Sequence, residues 1–283
     1  MSICLNAKLV IEWLRDVDPV AFNFLIFQVR WYALAYVVGV LFSYFYIGHV
    51  GKYLDLRKES LESVTSAGVA GIIIGGRLGY VLLYNPEFYL NHPAEILQIW
   101  HGGMSFHGAF LGALLLIALS CKKSGTPIPA LLDLCACTIP VGVFLGRIAN
   151  LVNRELYGKI TNVCWGVIFP NSNSLLPRHP SQVYEAILEG FIPFVLINTL
   201  FHFTNLKKQP GKLACLFCIC YGIARCIAEL FREPDAYLET IVTRFGITMG
   251  QILSAVMVVI SVLLFVMLSR KYKRKSQHVQ ASD

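Results

Sequence analysis

Seven long apolar stretches constrain this chain more than any other feature. A helix needs about 20 consecutive apolar residues to cross a hydrocarbon core of about 30 Å. Only 14% of the residues are charged and the mean hydropathy is +0.60, whereas a soluble domain would carry about a quarter charged residues. We therefore predict an all-α integral membrane protein with seven transmembrane helices in a single membrane domain over residues 1–283. The stretches lie near residues 31–50, 64–84, 104–121, 131–152, 183–203, 213–231 and 247–269.

The distribution of basic residues predicts the orientation in the membrane. With the C-terminal tail in the cytoplasm, 13 of the 24 lysines and arginines fall on the inside, eight on the outside and three within the apolar stretches. This asymmetry is the positive-inside pattern, which places the N-terminus outside and a basic tail, about residues 270–283, inside. The net charge of +7 then follows from topology and from attraction to anionic inner-leaflet lipid. No nucleic-acid partner is required.

Three arginines within the apolar stretches indicate a binding site. Arg77, Arg147 and Arg225 are placed near the outer face by the helix count, and a guanidinium in lipid costs roughly 2.5 to 3.5 kcal/mol. Three at one depth suggest an anionic ligand. For Arg77, independent snorkelling to the interface is an open alternative. Arg225 and Glu229 are four residues apart, so we predict an ion pair that orients the guanidinium.

Small residues recur at intervals of four in the predicted helices. Such spacing lets helix backbones approach closely in lipid, so a packing role is the favoured interpretation. Two further glycines, Gly102 and Gly103, precede the third helix, where a turn could direct backbone donors at an anion. The recurring residues are Gly71, Gly75 and Gly79, then Gly108 and Gly112, then Gly142 and Gly146.

The longest polar segment, about residues 153–182, lies between the fourth and fifth predicted helices on the outer side. Loops of this length are usually functional or disordered. The run Trp165, Val167, Ile168 and Phe169 favours a folded cap that covers the site. Arg178 and His179 at its end have two open roles, which are fixing the entry to the next helix and contacting a substrate.

Several motifs, in order, resemble the prolipoprotein diacylglyceryl transferases of the bacterial cytoplasmic membrane. The resemblance covers about residues 30–270. One departure is Ala149-Asn150-Leu151 in place of the family's usual Gly-Asn-Phe, a conservative change in packing. The matching segments are Gly102-Gly103-Met104-Ser105-Phe106-His107-Gly108; Gly146-Arg147 through Asn150, Asn153, Glu155 and Gly158; Arg178-His179-Pro180-Ser181-Gln182 with Tyr184-Glu185; Arg225 through Glu229 with Phe231-Arg232 and Pro234-Asp235; and Met249-Gly250-Gln251.

The resemblance implies transfer of the sn-1,2-diacylglyceryl group from phosphatidylglycerol to the thiol of a lipobox cysteine, with release of glycerol 1-phosphate. The partners would be phosphatidylglycerol, the lipobox segment of a preprolipoprotein and membrane lipid. The reaction needs no cofactor and no metal. The nine cysteines fit this expectation, because most lie in apolar helices, where cysteine acts as a small apolar residue.

The resemblance also implies roles for individual residues. His107 would be the catalytic base, and Arg147 and Arg225 would clamp the phosphate, since a guanidinium offers two parallel donors to an anion. Asn150 and Glu155 would support them. An open alternative to a base is that the arginine-rich site lowers the pKa of the thiol directly. The remaining predicted substrate-binding residues are Gly158, Tyr32, Tyr84, Tyr221, Glu229 and Arg77.

Two other functions fit parts of the sequence. A transporter is suggested by the echo of Gly76-Arg77-Leu78 in Gly146-Arg147-Ile148, because internal repeats are typical of transporters, but an odd number of helices does not divide into equal halves. A lipid-binding scaffold would need the anion site, yet would leave His107 and Glu155 without a task.

Overall fold

The computed structural model is mostly helical and describes residues 17–24, 27–54, 56–83, 86–98, 103–170, 172, 176–233 and 247–280. A short hairpin, β1 (Val20–Phe24) and β2 (Phe27–Arg30), precedes the helices. The helices are α1 (Trp31–Val50), α2 (Lys58–Leu83), α3 (Pro86–Asn91), α4 (Phe106–Ser124), α5 (Ile128–Val152), α6 (Ser181–Glu185), α7 (Ile192–Phe203), α8 (Lys212–Ala228) and α9 (Met249–Gln280). A π-helical turn, Ala186–Phe191, joins α6 to α7.

The described part of each predicted apolar stretch is largely helical, and five helical segments in the described residues are long and apolar enough to cross a membrane. They are Trp31–Leu54, Lys58–Leu83, Ile128–Val152, Ser181–Phe203 and Gly250–Arg274. Large apolar side chains such as Leu83 and Phe203 are 70% and 85% exposed, as expected of a lipid-facing surface. The chain is therefore a multi-pass membrane protein. A count of seven spans stays a prediction, because α4 and α8 are shorter, at 19 and 17 residues.

The β-hairpin departs from the predicted all-α fold. Val20, Asn23 and Phe24 of β1 pair with Arg30, Gln28 and Phe27 of β2 in antiparallel register. The cause is local, because residues 27–30 alternate apolar and polar side chains with the period of a strand. Helix α1 follows at once, and the Trp31 indole donates to the Asp18 carbonyl at 3.1 Å.

The last helix extends into the predicted basic tail, whose cytoplasmic location stays a prediction. Helix α9 continues to Gln280, so most of the segment predicted as a tail from about residue 270 is helical. Its Tyr272 hydroxyl donates to the Pro210 carbonyl at 3.0 Å, which ties this end of α9 to the loop before α8.

Backbone contacts divide the chain into two compact units. The first contains the described residues of Met1–Phe42 and Cys135–Asp283, and the second is Ser43–Leu134. The prediction of a single membrane domain stays a prediction.

Within the second unit, glycines bring α2 and α4 into backbone contact. A Cβ atom on Gly75 would lie 2.3 Å from the Gly108 carbonyl oxygen, and one on Gly71 would lie 2.4 Å from that of Gly112. The predicted packing role of these glycines is confirmed. In the first unit, a Cβ on Gly39 of α1 would lie 3.2 Å from the Gly142 Cα of α5, so these two backbones also approach closely. A Cβ on Gly146 would meet no atom within 4 Å, so a packing role for Gly146 stays a prediction.

Candidate functional site

Arg147, near the end of α5, contacts two carboxylates of the next span. Its Nη1 lies 2.7 Å from Glu185 Oε2, and its Nη2 donates to Glu189 Oε2 at 2.9 Å. Both glutamate side chains are 0% exposed. Removing an ion from water costs several kcal/mol, so buried charges need close partners of opposite sign. Arg147 supplies one such partner to both glutamates.

Arg225 on α8 reaches the same carboxylates from another helix. Its Nη1 donates to Glu189 Oε1 at 3.2 Å and lies 3.4 Å from Glu185 Oε1. Its Nη2 contacts Glu229 one turn later, so the ion pair predicted from their spacing is present. Arg232 completes the group, with Nη1 at 3.7 Å from Glu185 Oε1.

The π-helical turn places the two bridging glutamates. Pro193, at the start of α7, has no N–H and so cannot donate to the carbonyl four residues earlier. The Ile192 N–H instead donates to Ile187, five residues earlier, which widens the turn. Such π-turns are frequent at functional sites. Here the turn leaves Glu185 and Glu189 on the same side of the helix, directed at Arg147 and Arg225.

We call Arg147, Arg225, Arg232, Glu185, Glu189 and Glu229 the arginine–glutamate cluster. Its three positive and three negative formal charges cancel. Glu189 makes aligned hydrogen bonds to two arginines. Neither oxygen of Glu185 receives an aligned hydrogen bond from a described residue, although guanidinium nitrogens lie within ion-pair distance. Glu185 therefore acts on the arginines mainly through its charge.

Glu185 and Glu189 were not among the predicted site residues. Two acidic residues four positions apart within an apolar span were a usable signal, because intramembrane carboxylates usually have a function and a partner. The intramembrane arginines predicted an anion site, with Glu229 as the one acidic partner expected from spacing. The structure shows that the charge of this site is compensated.

Glu155 lies just beyond α5, where its exposed carboxylate is anchored by two amides. Asn150 and Asn153 donate to its Oε1 at 2.8 and 3.3 Å. Tyr32 and Arg147 are close enough to interact with each other electrostatically, as are Tyr32 and Glu155. The structure therefore brings Tyr32, Asn150 and Glu155 to the neighbourhood of Arg147, while their roles in substrate binding stay predictions.

The turn that carries Glu155 is strained. Arg154 and Leu156, on either side of it, have φ of 58° and 57°, a left-handed conformation that costs roughly 1 to 2 kcal/mol for an L-residue. Tertiary contacts hold it. The Gln182 amide donates to the Glu155 carbonyl at 2.7 Å, and Ser181 Oγ donates to the Leu156 carbonyl at 2.9 Å.

We expect Leu156→Val to lower the free energy of unfolding by roughly 1 kcal/mol, because a β-branched residue fits the left-handed region poorly. Leu156→Gly should cost less than Leu156→Val, since glycine adopts this conformation without a steric penalty. Thermal unfolding of both variants in the same detergent measures the difference. Equal losses would show that lost side-chain packing outweighs backbone strain at this position.

The close approach of two backbone segments requires a glycine at position 158, where the segment between α5 and α6 contacts the end of α8. The Gly158 N–H donates to the His179 carbonyl at 2.9 Å, and a Cβ would lie 2.5 Å from the Phe231 carbonyl oxygen. Any side chain would therefore separate these backbones. The predicted substrate contact of Gly158 stays a prediction.

The same segment contains a small folded core. Val167 and Phe169 are buried, with Leu151 and Tyr157 packed against them. Arg178 lies over the Tyr157 ring at 4.8 Å and donates to Glu233 at 3.1 Å. These contacts favour the structural alternative for Arg178. That the segment caps the site stays a prediction.

His179 is held by hydrogen bonds within an aromatic group. The Trp165 indole, which can only donate, lies 2.7 Å from the Tyr184 hydroxyl. That hydroxyl can in turn donate to His179 Nδ1 at 3.1 Å. Burial lowers the pKa of His179, and the charge of Lys159 lowers it further. His179 therefore favours the neutral form, and this contribution to stability is lost as the pH falls through the lowered pKa.

Arg77 belongs to the second unit, where its side chain binds backbone carbonyls. It donates to Glu95, Ile96 and Gly103 at 2.5, 2.8 and 3.0 Å, and its guanidinium lies 5.2 Å from the centre of the Tyr89 ring. Arg77 thus fixes the segment before α4. Its predicted contact with substrate stays a prediction.

The other predicted residues are located as follows. His107 is the second residue of α4, whose N-cap Ser105 accepts a hydrogen bond from the Gly108 N–H. The side chain of His107 lies outside the described residues, as do Tyr84 and Gly102 entirely. Tyr221 lies one turn before Arg225 on α8 and interacts electrostatically with Glu189 and Arg147.

Comparison with known proteins identifies the family. A family model described as prolipoprotein diacylglyceryl transferase matches residues 19–267. Proteins named phosphatidylglycerol–prolipoprotein diacylglyceryl transferase are similar over most of their length. That of Anaplasma marginale (strain Florida) is 48% identical over 94% of this chain and 93% of its own. That of Ehrlichia canis (strain Jake) is 49% identical over 86% and 93%, and that of Wolbachia sp. subsp. Drosophila simulans (strain wRi) is 43% identical over 92% and 99%. In this chain, two arginines from separate helices share two buried carboxylates. The chain belongs to the prolipoprotein diacylglyceryl transferase family.

Proposed function

We propose that this chain transfers the sn-1,2-diacylglyceryl group from phosphatidylglycerol to the thiol of a preprolipoprotein lipobox cysteine. The lipid and the protein substrate are those in the names of its relatives. The observation that carries the proposal is the pairing of Arg147 and Arg225 across Glu185 and Glu189, because it sets two guanidinium groups side by side for one phosphate. Transfer would be the first step of bacterial lipoprotein maturation.

The reaction exchanges one bond to carbon for another. The cysteine sulfur attacks the glycerol carbon that bears the phosphate, a C–S bond forms and the C–O bond breaks. The electron pair of that bond stays on the phosphate oxygen, and the thiol proton passes to a base. The products are a thioether and glycerol 1-phosphate. Negative charge builds up on the phosphate, so donors positioned before the reaction stabilise the transition state most effectively.

The chain supplies groups for each of these tasks. Arg147 and Arg225 bind the phosphate, and each is mostly buried yet 17% and 14% exposed, so a ligand has access to them. Glu229 orients Arg225. His107 is the proposed base, since a reference thiol has a pKa of about 8.5 and is mostly protonated at neutral pH. Tyr32, Tyr84, Tyr221, Asn150 and Glu155 are proposed to line the substrate site.

Reconstitution with phosphatidylglycerol and a lipobox peptide tests the function. Mass spectrometry should detect a diacylglyceryl increment on the cysteine, and a matched peptide with serine in that position should gain none. Uptake of a solute into empty vesicles without this product would support a transporter instead. Lipid binding without turnover would support a scaffold.

We also propose the bacterial cytoplasmic (inner) membrane as the location, with seven spans, the N-terminus outside and the C-terminus in the cytoplasm. In a variant that lacks the native cysteines, a cysteine tag after Ser276 should react only with reagents that enter the cytoplasm. A tag at Asn171 should react with impermeant reagents from outside. Labelling of both from one side would contradict the count of seven.

A further inference from the structure

We propose that Glu185 and Glu189 make the arginine–glutamate cluster selective for a singly charged phosphate diester over a doubly charged phosphate monoester. The two carboxylates would thereby promote release of the product after each transfer. The link to release rests on the proposed function, whereas the charge selection itself does not.

The geometry places both carboxylates where they affect any anion bound to the arginines. Each one lies within 3.4 Å of a nitrogen of Arg147 and of Arg225. Both side chains are fully buried. Their negative charges are therefore weakly screened and oppose a second negative charge on a ligand more strongly than surface carboxylates would.

The substrate and the product differ in charge at the same phosphate. A phosphate diester carries one negative charge, while a monoester carries about −1.5 to −2 at pH 7 because its second pKa is about 6. A cluster of three free arginines would bind the product more tightly than the substrate. The neutral arginine–glutamate cluster removes this advantage while retaining guanidinium donors, of which each arginine has five.

A variant of Glu185 distinguishes the effect of the carboxylate charge from that of its hydrogen bonds. The Glu185 oxygens receive no aligned hydrogen bond from the described residues, so Glu185→Gln removes a charge with little loss of hydrogen-bond geometry. Glu189→Gln removes both, because Glu189 accepts from Arg147 and Arg225. If the glutamates only positioned the arginines, Glu189→Gln would change anion binding and Glu185→Gln would change it little.

The experiment measures inhibition of transfer by two soluble compounds, glycerol 1-phosphate and the diester glycerophosphoglycerol. For Glu185→Gln we expect the inhibition constant of the monoester to fall about 10-fold or more at about pH 8, with a smaller change for the diester, since one unit of charge is removed close to the phosphate. The difference should shrink below about pH 6, where the monoester takes up a second proton. The surface variant Glu62→Gln, at an exposed pair with Lys58, is the matched control and should behave as wild type.

Charge rescue and the wild type provide independent tests. The variant Glu185→Gln/Arg232→Gln restores neutrality and should return the monoester constant to within about twofold of wild type. An unchanged monoester constant in Glu185→Gln, accompanied by a higher KM for the lipid, would make Glu185 a positioning residue and overturn the proposal. If the variants do not fold, binding of the two compounds to the wild-type protein provides the test. Tighter binding of the monoester than of the diester would also overturn the proposal. Binding of the two soluble compounds can be measured without turnover, so the absence of a thioether product would refute the proposed function separately.

Discussion

Replacing Arg147 with lysine is expected to lower the rate of transfer by roughly 10²- to 10³-fold, the usual loss when one preorganised donor to a developing negative charge is removed. Lysine keeps the positive charge but cannot reproduce the planar pair of donors. In the structure Arg147 uses both terminal nitrogens, one toward Glu185 and one toward Glu189. An ammonium group could satisfy one carboxylate well and would leave the other poorly compensated.

The measurement is the rate of thioether formation at saturating phosphatidylglycerol, with thermal unfolding as a check on folding. Arg57→Lys, at an exposed position outside the spans, is the matched control and should retain the wild-type rate. A wild-type rate for Arg147→Lys would remove Arg147 from the phosphate clamp. A loss confined to thermal stability would make the residue structural.

His107→Gln is expected to reduce transfer at neutral pH by roughly 10²- to 10⁴-fold, the range typical of general-base catalysis. The motivation is the position of His107 in the first turn of α4, held by the Ser105 cap. If the imidazole accepts the thiol proton, raising the pH toward about 8.5, where a reference thiol ionises, should restore part of the rate. More thiolate then forms without help from a base.

The pH profile distinguishes a base from a binding residue. Phosphatidylglycerol binding is measured in parallel, and His92→Gln serves as a control because His92 caps a short helix in the same unit through contact with the Phe88 carbonyl. A loss in His107→Gln that high pH does not relieve, together with weaker lipid binding, would assign His107 to binding. Full activity at neutral pH would leave the base unassigned.

Several structural features were accessible from single stretches of sequence because they depend on local patterns. The described parts of the apolar stretches are largely helical, since length and hydropathy within one segment decide that outcome, while the count of seven spans stays a prediction. The Arg225–Glu229 ion pair was predictable because residues four apart on a helix are neighbours. The packing of Gly75 on Gly108 followed from spacing as well.

Other features could not be read from local patterns. The hairpin over Val20–Arg30 has only a short alternating signal, which competes with the apolar run that follows it. The left-handed residues beside Glu155 carry no signature, because Arg154 and Leu156 are held by Val17, Ser181 and other residues distant in sequence. A strained backbone conformation persists only when its surroundings fix it.

The sequence by itself determined that the chain is a helical membrane protein, which family it resembles, and which arginines stand out in its apolar segments. Composition and periodicity suffice for the membrane fold and the arginines, since the bilayer requires long apolar helices and makes every charge within them costly, whereas the family resemblance rests on ordered motifs. Only the tertiary structure decided what compensates those charges. Arg147 lies on α5, whereas Arg225 lies on α8 and Arg232 just beyond it. The cluster forms where they contact Glu185 and Glu189 beside the π-helical turn. An electrostatic balance among groups on three helices depends on distances in space, which no single stretch of sequence contains.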